Sequence, residues 1–150
     1  MNNKTKKGFT LVELLVVVSL IGVLATLVIA NMNSARERAR DTQRKSDFRN
    51  IQTALRLYYN DNGGYPTSST DNIVGCDGNC VWGESWVNDD VTYMNILPDD
   101  PLSNQIYKYT YIDDDDYILE ACLENVSDDK GIATTDLDWC PTGWKYEVKP

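Results

Sequence analysis

The chain has no histidine among its 150 residues. That absence excludes imidazole acid–base catalysis, Ser–His and Cys–His nucleophile pairs, and any His-ligated metal site. Basic side chains are scarce after residue 60: residues 61–150 carry four Lys and Arg against nineteen Asp and Glu. Direct nucleic-acid binding is therefore not expected, because phosphate contacts need clustered Lys and Arg. Residues 31–61 contain neither proline nor glycine, so nothing there interrupts a helix. No C-x-x-C pair and no EF-hand spacing occur. The first absence weakens a four-thiolate zinc reading of the four cysteines, and the second leaves any cation ligands unspecified.

What is present divides sharply. Residues 1–60 carry ten Lys and Arg against four Asp and Glu, so the overall charge of −9 conceals a basic first part and an acidic second part. The opening MNNKTKKG is short and polar, with Lys4, Lys6 and Lys7. An apolar run from Phe9 to Ala30 follows, with Glu13 as its one charge. As a helix this run covers roughly 33 Å, close to the ~30 Å hydrocarbon core of a bilayer. It is too uniformly apolar to rest one face on a soluble core, and no A-x-A cleavage site follows it, unlike a secretory signal. The three lysines place the N-terminus in the cytoplasm. The helix continues: Phe48, Ile51, Leu55 and Tyr58 form one apolar stripe. Glu37 with Arg40, and Asp41 with Arg44 or Lys45, are spaced to pair along a solvated face. A helix from about Phe9 to Asn60 is expected, stopped by Asn62-Gly63-Gly64.

The remainder reads as a small antiparallel sheet. Ile106–Ile112 alternates, Asp113–Asp116 turns, and Tyr117, Leu119, Ala121 and Leu123 alternate again, which is a hairpin. Trp144, Tyr146 and Val148 supply a third strand. Residues 68–96, rich in Ser, Asn, Asp and Gly, read as a long ordered loop with a short helix. The fold class is α+β, with the sheet packed on the Phe48–Tyr58 stripe. Four segments are expected: 1–8, a leader; 9–30, a membrane-spanning helix; 31–61, its amphipathic continuation; and 62–150, a globular head.

The leader ending in Gly8, followed by Phe9-Thr10-Leu11-Val12-Glu13 and the apolar run, resembles the prepilin N-terminal methylation motif. A weaker likeness continues through Ala54–Thr67 and Leu97–Tyr111 to type II secretion pseudopilins and pilins of similar size. The resemblance implies a pilin-like fold. It implies cleavage between Gly8 and Phe9 by a prepilin peptidase and methylation of the new amine. It further implies a structural subunit, a major pilin or pseudopilin, that polymerises into a surface or periplasmic filament. Glu13 lies one turn after Phe9, and its carboxylate is placed to neutralise the Phe9 amine of its own or a neighbouring copy. Many pilins carry a proline near the end of the run, where this chain has Ala30. Gly22 and Thr26 offer close packing or local loosening instead.

The expected partners are other copies of the chain, the peptidase, an inner-membrane assembly platform, minor pilins, and membrane lipid before assembly. The expected location is the inner membrane, single-pass, and then an extracellular or periplasmic filament. An exported head is expected to hold disulfides, for which four cysteines allow three pairings. The pairing adopted joins Cys76 to Cys80 and Cys122 to Cys140, the second as the C-terminal loop of many pilins is tied. No cofactor is required. Related major pseudopilins bind calcium in a C-terminal loop, and the candidate ligands here are Asp113, Asp114, Asp115, Asp116, Asp128 and Asp129. A solvated acidic exterior is the plainer account of the same residues. Catalysis is not expected, since exposed Asp runs have no environment to separate their pKa values. The alternative function is a membrane-anchored binding module that holds calcium and does not polymerise.

Overall fold

The computed structural model describes residues 9–150, apart from the side chains at positions 28, 30, 31 and 79. The expected leader, with Gly8, lies outside the described residues. The chain divides at Arg36/Glu37 into two units.

One helix, α1, runs from Leu11 to Asn62, slightly later at both ends than the sequence suggests. It is long and apolar enough to cross a membrane. In the first unit every large apolar side chain from Leu11 to Leu27 is exposed. Gly63 ends the helix with a positive φ of 76°, and its N–H donates to the Tyr59 carbonyl at 2.8 Å. Glycine adopts that left-handed conformation without a Cβ penalty.

Nine short strands form the second unit with the C-terminal half of α1. They are β1 Thr67–Ser69, β2 Asn72–Cys76, β3 Gly78–Cys80, β4 Trp86–Asn88, β5 Val91–Met94, β6 Lys108–Asp113, β7 Asp116–Cys122, β8 Ile132–Ala133 and β9 Trp144–Val148. They make three antiparallel sheets, ordered β1-β2-β3, β4-β5 and β6-β7-β9-β8. The expected hairpin is β6-β7, with Tyr109 opposite Leu119 and Tyr111 opposite Tyr117. The expected third strand is β9, which places Tyr146 opposite Ala121.

Alternation along β7 buries Tyr117, Leu119 and Ala121 completely, together with Phe48, Ile51 and Leu55 of α1. Phe48 meets Tyr107 edge-on at 5.1 Å and stacks on Tyr146 at 5.6 Å. Full burial of such side chains contributes roughly 1.5–3 kcal/mol each.

Residues 68–96 differ from expectation. They contain β2 to β5 and the end of β1, and no helix. Two tight turns build them: Thr70-Asp71 and Asp89-Asp90 all have positive φ, the geometry of the two-residue hairpin. Trp86 is fully buried and donates its indole N–H to the Gly75 carbonyl at 2.7 Å. A Cβ on Gly75 would lie 2.6 Å from Pro66 and 3.1 Å from the Tyr58 ring, so only glycine lets β2 come this close.

Candidate functional site

The start of α1 holds the residues expected to act in processing and assembly. Phe9 precedes the helix and is exposed. Thr10 is the N-cap: its carbonyl accepts the first helical bond, from the Leu14 N–H at 3.2 Å. Its hydroxyl accepts from the Glu13 N–H at 3.2 Å. Glu13 Oε2 in return accepts from the Thr10 N–H at 2.9 Å and the Thr10 hydroxyl at 2.8 Å. This is a reciprocal capping box, in which threonine and glutamate satisfy each other's orphan donors. Sequence reasoning singled out Glu13 and missed Thr10, although T-x-x-E ahead of an apolar run is a readable helix-start signal.

The second unit is tied together by an ionic node that the sequence reading treated as a solvated helix face. Arg44 is fully buried, and Asp41 and Asp100 nearly so. Arg44 forms a two-pronged pair with Asp100, Nε to Oδ2 at 2.7 Å and Nη2 to Oδ1 at 2.8 Å. Its Nη1 donates to Asp41 Oδ1 at 2.7 Å and to Glu124 Oε1 at 2.8 Å. Arg40 grips the same Glu124 from the next turn, at 2.7 and 2.5 Å. Asp41 accepts the backbone N–H groups of Glu124 and Asn125 at 3.0 and 2.8 Å. Burial works against the Arg44 charge, but the hydrogen bonds to Asp100 and Glu124 outweigh it and raise its pKa. The Arg40 guanidinium holds Glu124 below its usual range, assisted by Arg44.

The signal that could have found this node is positional. Asp41, Arg44, Phe48, Ile51, Leu55 and Tyr58 follow one 3–4–3–4–3 row, so the charged pair extends the apolar stripe. The expected Asp41–Arg44 pair forms, at 2.7 Å, whereas the other expected partnerships change. Lys45 pairs with Asp128 at 2.5 Å rather than with Asp41, and Arg40 pairs with Glu124 rather than Glu37.

The C-terminal loop leaves β7 at Cys122 and returns at β9. A Cys122–Cys140 disulfide closes it over a sequence separation of 18, with Cα atoms 5.1 Å apart. Thr142 donates to the Leu123 carbonyl at 2.6 Å, and the Trp144 indole N–H to the Asp128 carbonyl at 3.3 Å. A second disulfide, Cys76–Cys80, joins β2 to β3.

The six candidate calcium ligands stand in two separate groups. Asp113–Asp116 and Asp128–Asp129 flank opposite ends of β7, about 20 Å of extended strand apart. Each group is also engaged locally. Asp114 accepts the Tyr111 hydroxyl at 2.6 Å, and Asp115 the Tyr59 hydroxyl at 2.5 Å. Asp128 Oδ2 holds the Lys45 ammonium, and its Oδ1 accepts the Lys130 N–H at 3.0 Å. Among the described residues no group of three or more His, Cys, Asp or Glu side chains is placed to hold a metal ion. Calcium wants about six to eight oxygens around one point. Contiguity in sequence spread these acids along a turn and a loop rather than converging them.

Comparison with known proteins bears on the same segment and on the head. Residues 3–29 match the sequence model described as the prokaryotic N-terminal methylation motif. Residues 31–119 match that of type II secretion system protein G. The type II secretion system core protein G of Pseudomonas aeruginosa is 34% identical over 111 residues, covering 73% of this chain and 76% of the relative. That of Aeromonas hydrophila is 33% identical over 104 residues, covering 69% and 73%. That of Escherichia coli (strain K12) is 42% identical over 64 residues, covering 43% and 44%. No solved structure matches the chain.

Proposed function

Because the chain belongs to the type II secretion system protein G family, we propose that it is a structural pseudopilin that polymerises into a pseudopilus. Residues 1–8 are its leader, cut between Gly8 and Phe9 by a prepilin peptidase that then methylates the Phe9 amine. Residues 9–30 hold it in the inner membrane with the N-terminus in the cytoplasm, and later lie in the filament core. Residues 31–61 carry that helix into the head, and residues 62–150 face the periplasm.

The observation that carries the reading is the apolar run whose side chains find no cover within their own chain. Leu11 to Leu27 expose every large apolar residue, which in water would be strongly unfavourable at about 25 cal/mol per Å². Lipid before assembly and neighbouring copies afterwards supply that cover. Glu13 makes the assembled state selective. Both hydrogen bonds from Thr10 fall on Oε2, and in this reading Oε1 accepts from the Phe9 amine of an adjacent copy. A neighbour out of axial register would leave the two charges buried and unpaired. An assembly platform and minor pseudopilins are the further partners this reading requires.

Intact-mass and N-terminal peptide analysis of material sheared from native cells tests it. The expected species begins at N-methylated Phe9 and is short of two hydrogens for each disulfide. Recovery only in membranes, with residues 1–8 still attached, would sink the reading in favour of a lone anchored module.

A further inference from the structure

A concavity of about 360 Å³ opens beside the start of β6, lined by Asp71, Asn104, Gln105, Lys108, Asp138 and Trp139. Three segments meet there, and each is fixed by bonds of its own. Asp71, in the β1–β2 turn, accepts the Tyr109 N–H on its carbonyl at 2.9 Å. The Gln105 N–H donates to the Leu102 carbonyl at 2.9 Å. Trp139 stands next to the disulfide-bonded Cys140. Its indole N–H donates to the Ile106 carbonyl at 3.0 Å, and its backbone N–H to Asp136 Oδ1 at 3.3 Å. The walls are thus set before any ligand arrives, which lowers the cost of binding.

Four of the lining side chains have nothing to hold. Among the described residues Asp71, Asn104, Gln105 and Asp138 make no side-chain hydrogen bond or ion pair. Gln105 is the sharpest case, because its Oε1 is buried without a partner and carries the desolvation cost of a bond not made. The broad terminal torsion of the amide lets that oxygen turn to a donor in the concavity. The lysine of the lining is already engaged: Lys108 Nζ pairs with Asp136 at 3.0 Å and lies 4.6 Å from the centre of the Trp139 ring.

We infer that this concavity binds a small organic cation of the amine or guanidine class. Its free groups are mostly acceptors, two carboxylates and two amide oxygens against two amide nitrogens. A ligand rich in N–H donors matches them, and its charge meets Asp71 and Asp138, which Lys108 does not neutralise. An anion is repelled by the same two carboxylates. A neutral sugar gains nothing from them, and one face of the ring on which it would stack holds the Lys108 ammonium. Calcium wants about six to eight oxygens, and among the described residues no three His, Cys, Asp or Glu side chains are placed to hold a metal. The volume is at the low end of small-molecule sites, roughly 300–1,000 Å³, which suits a diamine or agmatine. A second concavity, at Arg38, Thr42, Asn125 and Asp128, lacks this character. There Lys45 and the Lys130 N–H already hold Asp128, and the Ser127 N–H holds Asn125. The inference concerns ligand binding by the head and stands whether or not the chain polymerises.

Calorimetric titration of the full chain, in neutral detergent, with agmatine tests it. A dissociation constant of roughly 1 mM or tighter is expected, since Asp138 is exposed and exposed charge pairs are weak. Asp71→Asn/Asp138→Asn is expected to weaken binding roughly tenfold. Asparagine tolerates the φ of 67° at position 71, so the turn is kept. Gln105→Met is expected to weaken binding several-fold while the melting temperature stays level or rises, because an unmet acceptor is removed. A merely structural glutamine would lose stability instead. Absence of binding up to about 10 mM agmatine, from a parent chain with both disulfides intact by mass, overturns the inference. So does equal affinity in the double variant. Glucose or calcium that displaces agmatine from the parent, and is itself bound more weakly by the double variant, assigns the site to a sugar or a metal and overturns the inference as well. If the double variant fails to melt cooperatively, Gln105→Met decides, and agmatine affinity equal to the parent's overturns the assignment.

Discussion

Between Leu11 and Leu27 helix α1 exposes every large apolar side chain, whereas between Asp41 and Leu55 it buries a salt-bridged arginine. One continuous helix thus inverts the usual placement of apolar and charged residues along its length. In the first stretch the capping box and the hydroxyl bonds of Ser19 and Thr26 reach no farther than a turn along the helix. The second is bound to residues 56 and 80 positions away, through Asp100 and Glu124. The comparison teaches that burial is decided by what surrounds a segment, and that a charge is tolerated inside once carboxylates meet it, here through four bonds from the Arg44 guanidinium.

The contrast is broken most severely at Arg44. Arg44→Met leaves Asp41 and Asp100 without their cation and Glu124 with Arg40 alone, and is expected to destabilise the head by about 3–5 kcal/mol. Arg44→Lys should recover little of this, because a point charge cannot make the two-pronged bond to Asp100. Thermal melting of the detergent-solubilised chain measures both; a lysine variant as stable as the parent would contradict the geometry.

Next in size is the Cys122–Cys140 disulfide. Replacing both cysteines by serine is expected to cost about 3 kcal/mol, since the bond closes an 18-residue separation, and the shorter Cys76–Cys80 link about 2 kcal/mol. Denaturant melts of the two double variants rank them.

Titration sharpens the comparison further, because the buried node lies in the head. Glu124 has a folded pKa below its ordinary 4.5, so its contribution is present above that value and is lost as pH falls through the folded value. Burial raises Tyr117 from 10.0 to about 12 and raises Tyr107 and Tyr109 as well. A raised acid stabilises below its unfolded pKa, so that contribution disappears as pH climbs from 10.0 through the folded value. A melting-temperature profile should therefore be flat near neutrality and fall below about pH 4.5 and above about pH 10.

The smallest effects belong to the other stretch. Thr10→Ala removes a cap worth ~1 kcal/mol to the helix start, yet the head should melt within about 1 °C of the parent, because sites far apart with no shared partners act independently.

Periodicity made the long helix, the β6-β7 hairpin, β9 and the Phe48–Tyr58 stripe legible in the sequence. The burial of Arg44 was half legible: its spacing sets it on the row of the apolar stripe with Asp41, but no local pattern connects it to Asp100 and Glu124. The small sheets of residues 68–96 escaped for another reason. Their strands are three to five residues long, too short for alternation to register. Their turns use Thr70-Asp71 and Asp89-Asp90 in place of the glycine that usually marks positive φ. The start of the helix was half read: Glu13 stands out as a lone charge, while Thr10 was quoted within the motif without its role as the cap.

The Arg44 node constrains how this sequence can change with time. Positions 41, 44, 100 and 124 share one closed set of hydrogen bonds, so an altered side chain at any of them leaves an unmatched buried group at another. A lineage can lose the whole set together in favour of apolar residues, or keep it whole, but cannot cross between those states one neutral step at a time. Across homologous chains these four positions are therefore expected to covary as a unit, while the exposed Ser46 and Asn60 drift independently.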